Sequence, residues 1–257
     1  MKSLTNYIQE KLVIKKSTTK KDKTVSYKYF PETNKELREI IEKRVKAEGK
    51  EVDLNNIDVS NVTDMSHLFE GIDFNGNISN WDVSNVTNMN SMFYNCGKFN
   101  QDISEWDVSN VTNMTEMFGY CTSFNQDISE WNVSNVTNMN SMFELCENFN
   151  GDISTWDVSN VTNMSGMFRW CKLFNQYISN WNVSNVKNMA FMFYRCSKFN
   201  QDISTWDVSN VVYMHNMFGY CTSFNKDISG WDVSNVTNKN KMFYNCAIEE
   251  KYKPKFK

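Results

Sequence analysis

Tryptophan returns at one fixed interval along this chain, at Trp81, Trp106, Trp131, Trp156, Trp181, Trp206 and Trp231, and a cysteine follows each one at an equally fixed offset, from Cys96 to Cys246. A spacing that never slips by one position marks an array whose units stack on their neighbours. The core of such a chain is long and thin, and its stability is a sum of unit and interface contributions.

The unit Trp106 to Glu130 shows the repeat whole: W-D-V-S-N-V-T-N-M-T-E-M-F-G-Y-C-T-S-F-N-Q-D-I-S-E. Val111, Met114, Met117, Phe118 and Cys121 fall at steps of three and four, the spacing of a short helix with one apolar face. Ser109 and Asn110 precede it as N-cap candidates, because their side-chain oxygens can accept the first free N–H groups. Phe124 and Ile128, and then the Trp106 and Val108 positions, alternate with polar residues, which predicts a brief strand around Asp127 to Ser129. The expected fold class is therefore α/β: a solenoid of about eight 25-residue turns like those of leucine-rich repeats. Each turn would be a short parallel strand plus a short helix, behind an N-terminal capping segment.

Several polar ladders share the same period. Asn100, Asn125, Asn150, Asn175, Asn200 and Asn225 can bond backbone groups at turns and one another from coil to coil. Asp102, Asp127, Asp152, Asp202 and Asp227 recur in one phase, and Asp82, Asp107, Asp157, Asp207 and Asp232 in another. Stacked carboxylates repel unless something neutralises or bonds them. The preferred reading is that they accept backbone N–H groups at turns, with calcium as the alternative. Tyr177, Asn132 and Asn182 interrupt the two series, which weighs against a metal. The cysteines read as reduced, buried, small apolar residues. Disulfides between neighbouring coils are one alternative, and a metal ladder, with no His beside the thiols, is another. No cofactor is expected.

Charge divides the chain. Residues 1–50 carry 14 Lys+Arg against 7 Asp+Glu, whereas residues 51–246 carry 9 against 21. An acidic array with basic ends lacks the clustered cations that phosphate contacts need, so nucleic acid is not an expected partner. Nothing approaches the roughly 20 apolar residues of a membrane span, and Met1 to Lys16 contains no signal-peptide h-region. That leaves the compartment open between virion-associated and cytoplasmic until release. Four segments are expected: a basic leader over 1–24, a strand-plus-helix cap over 25–56, the repeats over 57–246, and a basic tail over 247–257. The leader's Leu4, Tyr7, Ile8 and Leu12 suit a docking helix, with plain disorder as the other reading. In the cap, Val25 to Phe30 reads as a strand, and Thr33 to Glu36 forms a capping box that opens a helix closed by Gly49. At the far end Lys239 replaces a core Met, a device against end-to-end association.

The motif W-D-V-S-N-V-T-N-M-x-x-M-F-x-x-C-x-x-F-N-x-D-I-S over residues 57–246 resembles that of BspA-like leucine-rich repeat surface proteins. The resemblance implies a repeat solenoid used for attachment or protein binding. More weakly, Met1 to Leu12 is similar to N-terminal segments of proteins of large tailed phages of gut bacteria.

Three classes of function are open. The first is a non-enzymatic binding scaffold, whose variable pairs, such as Thr115 and Glu116 or Ala190 and Phe191, lie inside the expected helix and should face outward. Arg169, Trp170, Phe191, Tyr194 and Arg195 gather on two adjacent turns the residue types that dominate interface energies. Burial of Trp170 and Phe191 between turns is the alternative. The partner would be a protein or cell-surface ligand. The second class is a structural component of a phage virion, docked into a larger viral assembly through the leader. The third, an enzyme, is disfavoured: His67 and His215 are the only histidines, six turns apart, and no nucleotide or metalloprotease motif occurs.

Overall fold

The computed structural model describes residues 17–20 and 23–256, with side chains from residue 26 onward. Strands β1 (Ser17–Lys20) and β2 (Lys23–Ser26) pair antiparallel with Thr18 opposite Val25. This hairpin straddles the expected boundary at residue 24, and β2 ends before Phe30. Helix α1 spans Asn34–Glu48. Thr33 is its N-cap, with Oγ1 accepting from the Glu36 N–H (3.2 Å), while the Glu36 carboxylate accepts from the Glu32 N–H (2.8 Å). Gly49, at φ 94°, ends it.

Beyond α1, the described chain holds no further helix or strand apart from a 3-10 turn at Glu250–Tyr252. The expected α/β class is thereby overturned, and regular strand-plus-helix turns do not form. The segment read as helical, Val111 to Cys121, alternates two kinds of hydrogen bond. Met114, Glu116, Phe118 and Tyr120 donate to the carbonyls of Asn138, Asn140, Met142 and Glu144 on the next coil, at 3.1, 2.8, 2.9 and 2.6 Å. Between them Met117, Gly119 and Cys121 donate three residues back, to Met114, Glu116 and Phe118. A helix would send every one of these N–H groups four residues back. A segment this short that contains Val, Thr, Asn and Gly makes a marginal helix, so stacking on identical neighbours wins. The Asn110 side chain bonds the Ser84 carbonyl of the preceding coil (2.7 Å) and caps no helix.

The expected strand at Asp127 to Ser129 is absent too. Parallel bridges instead join single residues at another phase, Asp64 to Asn88, Asn88 to Asn113, and onward through Tyr213 to Asn238. Two repeat positions of each coil sit in the left-handed region, at Glu116 (φ 55°) and Tyr120 (φ 64°) in this one, and they turn the chain so that alternate N–H groups face the next coil.

What stacks is a set of columns. Trp106 lies parallel to Trp81 and to Trp131, with 6.5 Å between ring centres and 3° between planes in each pair. The column's indole N–H groups donate to carbonyls of the preceding coil, Trp81 to Leu54 (3.0 Å) and those from Trp106 onward to Ile, as Trp131 does to Ile103 (3.1 Å). Phe93, Phe118, Phe143 and Phe168 form a second column and Phe99, Phe124, Phe149 and Phe174 a third, all buried. All the cysteines are free. The thiols from Cys96 to Cys221 are buried and donate to Phe carbonyls one coil back, as Cys121 does to Phe93 (3.0 Å) and Cys221 to Phe193 (2.7 Å). Burial pushes the Cys96 thiol up to about 11 and holds Cys121, Cys171 and Cys221 well above the ordinary value.

The Asp ladders face local partners. Asp127 accepts from the Ser129 N–H and Asp152 from the Ser154 N–H (3.0 and 2.9 Å), bonds that lower both carboxyl pKa values. Asn132 and Asn182 accept from Ser134 and Ser184 in the same way, which is why an amide can stand in for the acid. The asparagine ladder also bonds along the stack, each side-chain oxygen accepting from the next member's N–H, as Asn100 does from Asn125 (2.9 Å).

Helix α1 closes the first coil. The carbonyls of Asn88 and Asn90 accept from Met65 and His67 of the coil before, so the equivalent carbonyls of the first coil, Asp64 and Ser66, have no coil in front of them. The Asn34 side-chain amide fills that place, donating to Asp64 (3.2 Å) and Ser66 (2.9 Å), and Arg38 donates to His67. Leu37 and Ile41 bury against the core beneath. At the other end Ala247 and Glu249 bond Cys221 and Asn225 of the preceding coil, Ile248 and Pro254 are buried, and the Lys239 ammonium lies 4.4 Å from the Phe256 ring centre.

Candidate functional site

The stack brings together all five residues singled out from the sequence. Arg169 and Trp170 stand on one coil, and Phe191, Tyr194 and Arg195 on the next. Because each follows the last by one whole repeat, Trp170, Arg195 and Tyr220 occupy one repeat position and form one column. The Arg195 guanidinium carbon is 4.2 Å from the Trp170 ring centre and 4.3 Å from that of Tyr220, so it is layered between the rings. In the adjacent column Glu144, Arg169 and Tyr194 follow one another. Arg169 bonds the Glu144 carboxylate (2.9 Å) and lies 5.4 Å from the Phe191 ring centre and 5.8 Å from that of Tyr194. Phe191 meets both Tyr194 and His215 edge to face.

The sequence reading identified neither Glu144, His215 nor Tyr220 as members of this cluster. Two signals could have sharpened it. Trp170 is the one tryptophan outside the repeat register, and Arg169 and Arg195 are the only arginines between positions 51 and 246. The outward-facing variable pairs need correction as well. They belong to no helix, and their members are mixed: Ala190 is buried, while Thr115, Glu116 and Phe191 are half-buried. Trp170 and Phe191 are half-buried too, packed partly between coils and partly open.

Backbone geometry here is expensive. Trp170, Phe191 and Arg195 have φ of 65°, 58° and 62°, a region that costs a side-chain-bearing residue about 1–2 kcal/mol. Only the alternation of lateral and local hydrogen bonds holds them there. Three buried side-chain nitrogens in this cluster lack a hydrogen-bond partner among the described residues: Arg169 Nε, Arg195 Nε and His215 Nδ1. Among the described residues no group of three or more His, Cys, Asp or Glu could hold a metal ion, and no helix is long and apolar enough to cross a membrane.

These features define a class: a repeat protein of turn-built coils, with side-chain columns inside and a variable aromatic and cationic patch on its surface. The chain belongs to the family described as "Mycoplasma protein of unknown function, DUF285", which matches residues 35–156 and again residues 137–254, in agreement with the BspA-like resemblance of its repeat. No curated protein and no solved structure matches it.

Proposed function

We propose that this protein is a non-enzymatic scaffold of the attachment or adhesion type, which binds a protein partner through the patch formed by Arg169, Trp170, Phe191, Tyr194 and Arg195. The observation that carries this reading is the Trp170–Arg195–Tyr220 column, with Arg169 and Phe191 beside it. Large aromatic and Arg side chains are kept half-exposed side by side on neighbouring coils, while the buried Trp and Phe columns stay uniform beneath them. These residue types carry most interface energy.

A non-catalytic role also suits the nucleophile-type groups. The buried thiols donate to carbonyls and have raised pKa values, His67 bonds Glu70 (2.7 Å), and His215 packs against Phe191. The test is a pull-down from the natural source with full-length protein and with a Trp170→Ala/Arg195→Ala variant, each checked for an unchanged thermal transition. Loss of a captured protein in the variant is the expected result. Unchanged capture removes this patch from the binding surface. The leader invoked for docking into a phage virion lies in residues 1–24, of which 1–16, 21 and 22 fall outside the described residues.

A further inference from the structure

Two cations of the patch are already matched. Arg169 pairs with Glu144 (2.9 Å) and Lys172 with Glu147 (2.8 Å). Arg195 has no carboxylate and no hydrogen-bond acceptor among the described residues, and its Nε is buried without a partner. Both faces of its guanidinium plane are covered, by Trp170 on the preceding coil and Tyr220 on the following one. A guanidinium stacked on both faces has lost water there and is fixed in orientation, which leaves its terminal N–H edge as the route to a partner. The group that fits a planar fork of N–H donors is a carboxylate, bonded through both oxygens.

We propose that Arg195 anchors one carboxylate of an extended peptide segment of the partner. This rests on the patch being the binding surface and adds the chemistry that it selects. Two observations narrow the occupant. The faces of Trp170 and Tyr220 that meet Arg195 are filled, and Tyr194 is ringed by Phe191, Tyr220 and both arginines, so flat aromatic surface for a sugar ring is scarce. The coils that carry the patch are locally cationic, with 5 Lys+Arg against 2 Asp+Glu over residues 151–200, within an array that is acidic as a whole. An anionic side chain is therefore drawn to these coils, and because Arg169 and Lys172 are already paired, the fitting segment places a single Asp or Glu at Arg195, beside apolar side chains that meet Trp170 and Phe191.

The experiment is selection of short random peptides on the full-length protein, in parallel with Arg195→Gln, Arg195→Lys and Trp170→Ala/Phe191→Ala, all matched for thermal transition. Peptides enriched on the unsubstituted protein should carry one acidic residue among apolar ones. Replacing that residue by its amide in a selected peptide should weaken binding roughly tenfold or more, the scale of a bidentate charge-assisted pair. Arg195→Gln should abolish the difference between acid and amide, and Arg195→Lys should leave it reduced, because a point charge lacks the fork. Peptides that need Trp170 and Phe191 but show no acidic preference overturn the carboxylate anchor while leaving the binding patch standing. Peptides indifferent to all the variants, or none retained, overturn both. A uronic-acid oligosaccharide that binds through Arg195, where no acidic peptide does, overturns the peptide assignment.

Discussion

Replacing Phe143 by alanine tests whether stability runs along the stack. Phe143 is fully buried and sits 4.1 Å from Phe149 on its own coil, 5.7 Å from Phe118 on the coil before and 5.8 Å from Phe168 on the coil after, with Trp156 at 6.2 Å. Truncating a buried Phe to Ala costs about 3–5 kcal/mol, and each lost ring pair adds about 0.5–1.5 kcal/mol beyond burial. The many parallel contacts place Phe143→Ala near the upper end, at about 5 kcal/mol. Phe243 occupies the same repeat position in the last coil, half-buried, with one stacked neighbour in its column, Phe218 at 5.8 Å. Its truncation should cost about 1–2 kcal/mol, mostly the transfer of a partly exposed ring. Equilibrium urea unfolding followed by tryptophan fluorescence measures both, since the indoles are distributed along the array. In a chain whose coils touch only their neighbours, the central lesion also weakens the coupling between the two halves. Phe143→Ala should therefore broaden the transition or split it in two, whereas Phe243→Ala should only shift its midpoint. Equal losses for the two variants, or a loss below about 2 kcal/mol at Phe143, would refute the columnar account.

Asn34→Ala removes two hydrogen bonds that close the first coil and should lower stability by about 1–2 kcal/mol in urea titration, with hydrogen exchange rising first around residues 64–68. Leu145 holds φ of 60° where the second and last coils carry Asn95 and Asn245, so Leu145→Asn should raise stability by about 0.5–1 kcal/mol in denaturant titration; a fall would show that its side chain matters more than its backbone. Asp127, Asp152 and Asp202 have pKa values lowered first by backbone N–H bonds from Ser129, Ser154 and Ser204, so their contribution is present above the ordinary carboxylate pKa and is lost as pH falls through the lower folded values. Thermal melts should drop steeply on acidification below that range, and the Asp→Asn triple variant, which keeps the turn bond, should flatten that limb. A thiol reagent under native conditions should modify Cys246, which is partly exposed, well before the buried Cys96 to Cys221; uniform labelling would contradict their burial.

The sequence identified the core at once, because burial here depends only on which side chains are apolar, and the same Trp, Val, Met, Phe, Cys and Ile positions recur in all the units between the first and the last. It also carried α1, whose capping box at Thr33 and Glu36 and whose stop at Gly49 are local devices. The aromatic and arginine patch was legible as composition, in the crowding of Arg and aromatic residues on two adjacent coils, and the repeat register puts Tyr220 in the column of Arg195, but only the structure shows the guanidinium layered between the Trp170 and Tyr220 rings.

What the sequence alone could not decide was the backbone. Apolar steps of three and four, as at Met114, Met117, Phe118 and Cys121, suit a helix and suit equally a chain that bends inward at each of those residues. The choice between them lies in where the N–H groups of Met114, Glu116, Phe118 and Tyr120 find acceptors, and those acceptors are carbonyls on the following coil, nearly a full repeat ahead in the chain. No glycine or asparagine marks the left-handed residues Glu116 and Tyr120, because the stack, not local preference, holds them there. Local rules account for what a residue buries and how a lone helix begins and ends, while tertiary stacking decided how the repeat bonds, since only the assembled neighbour supplies the partners.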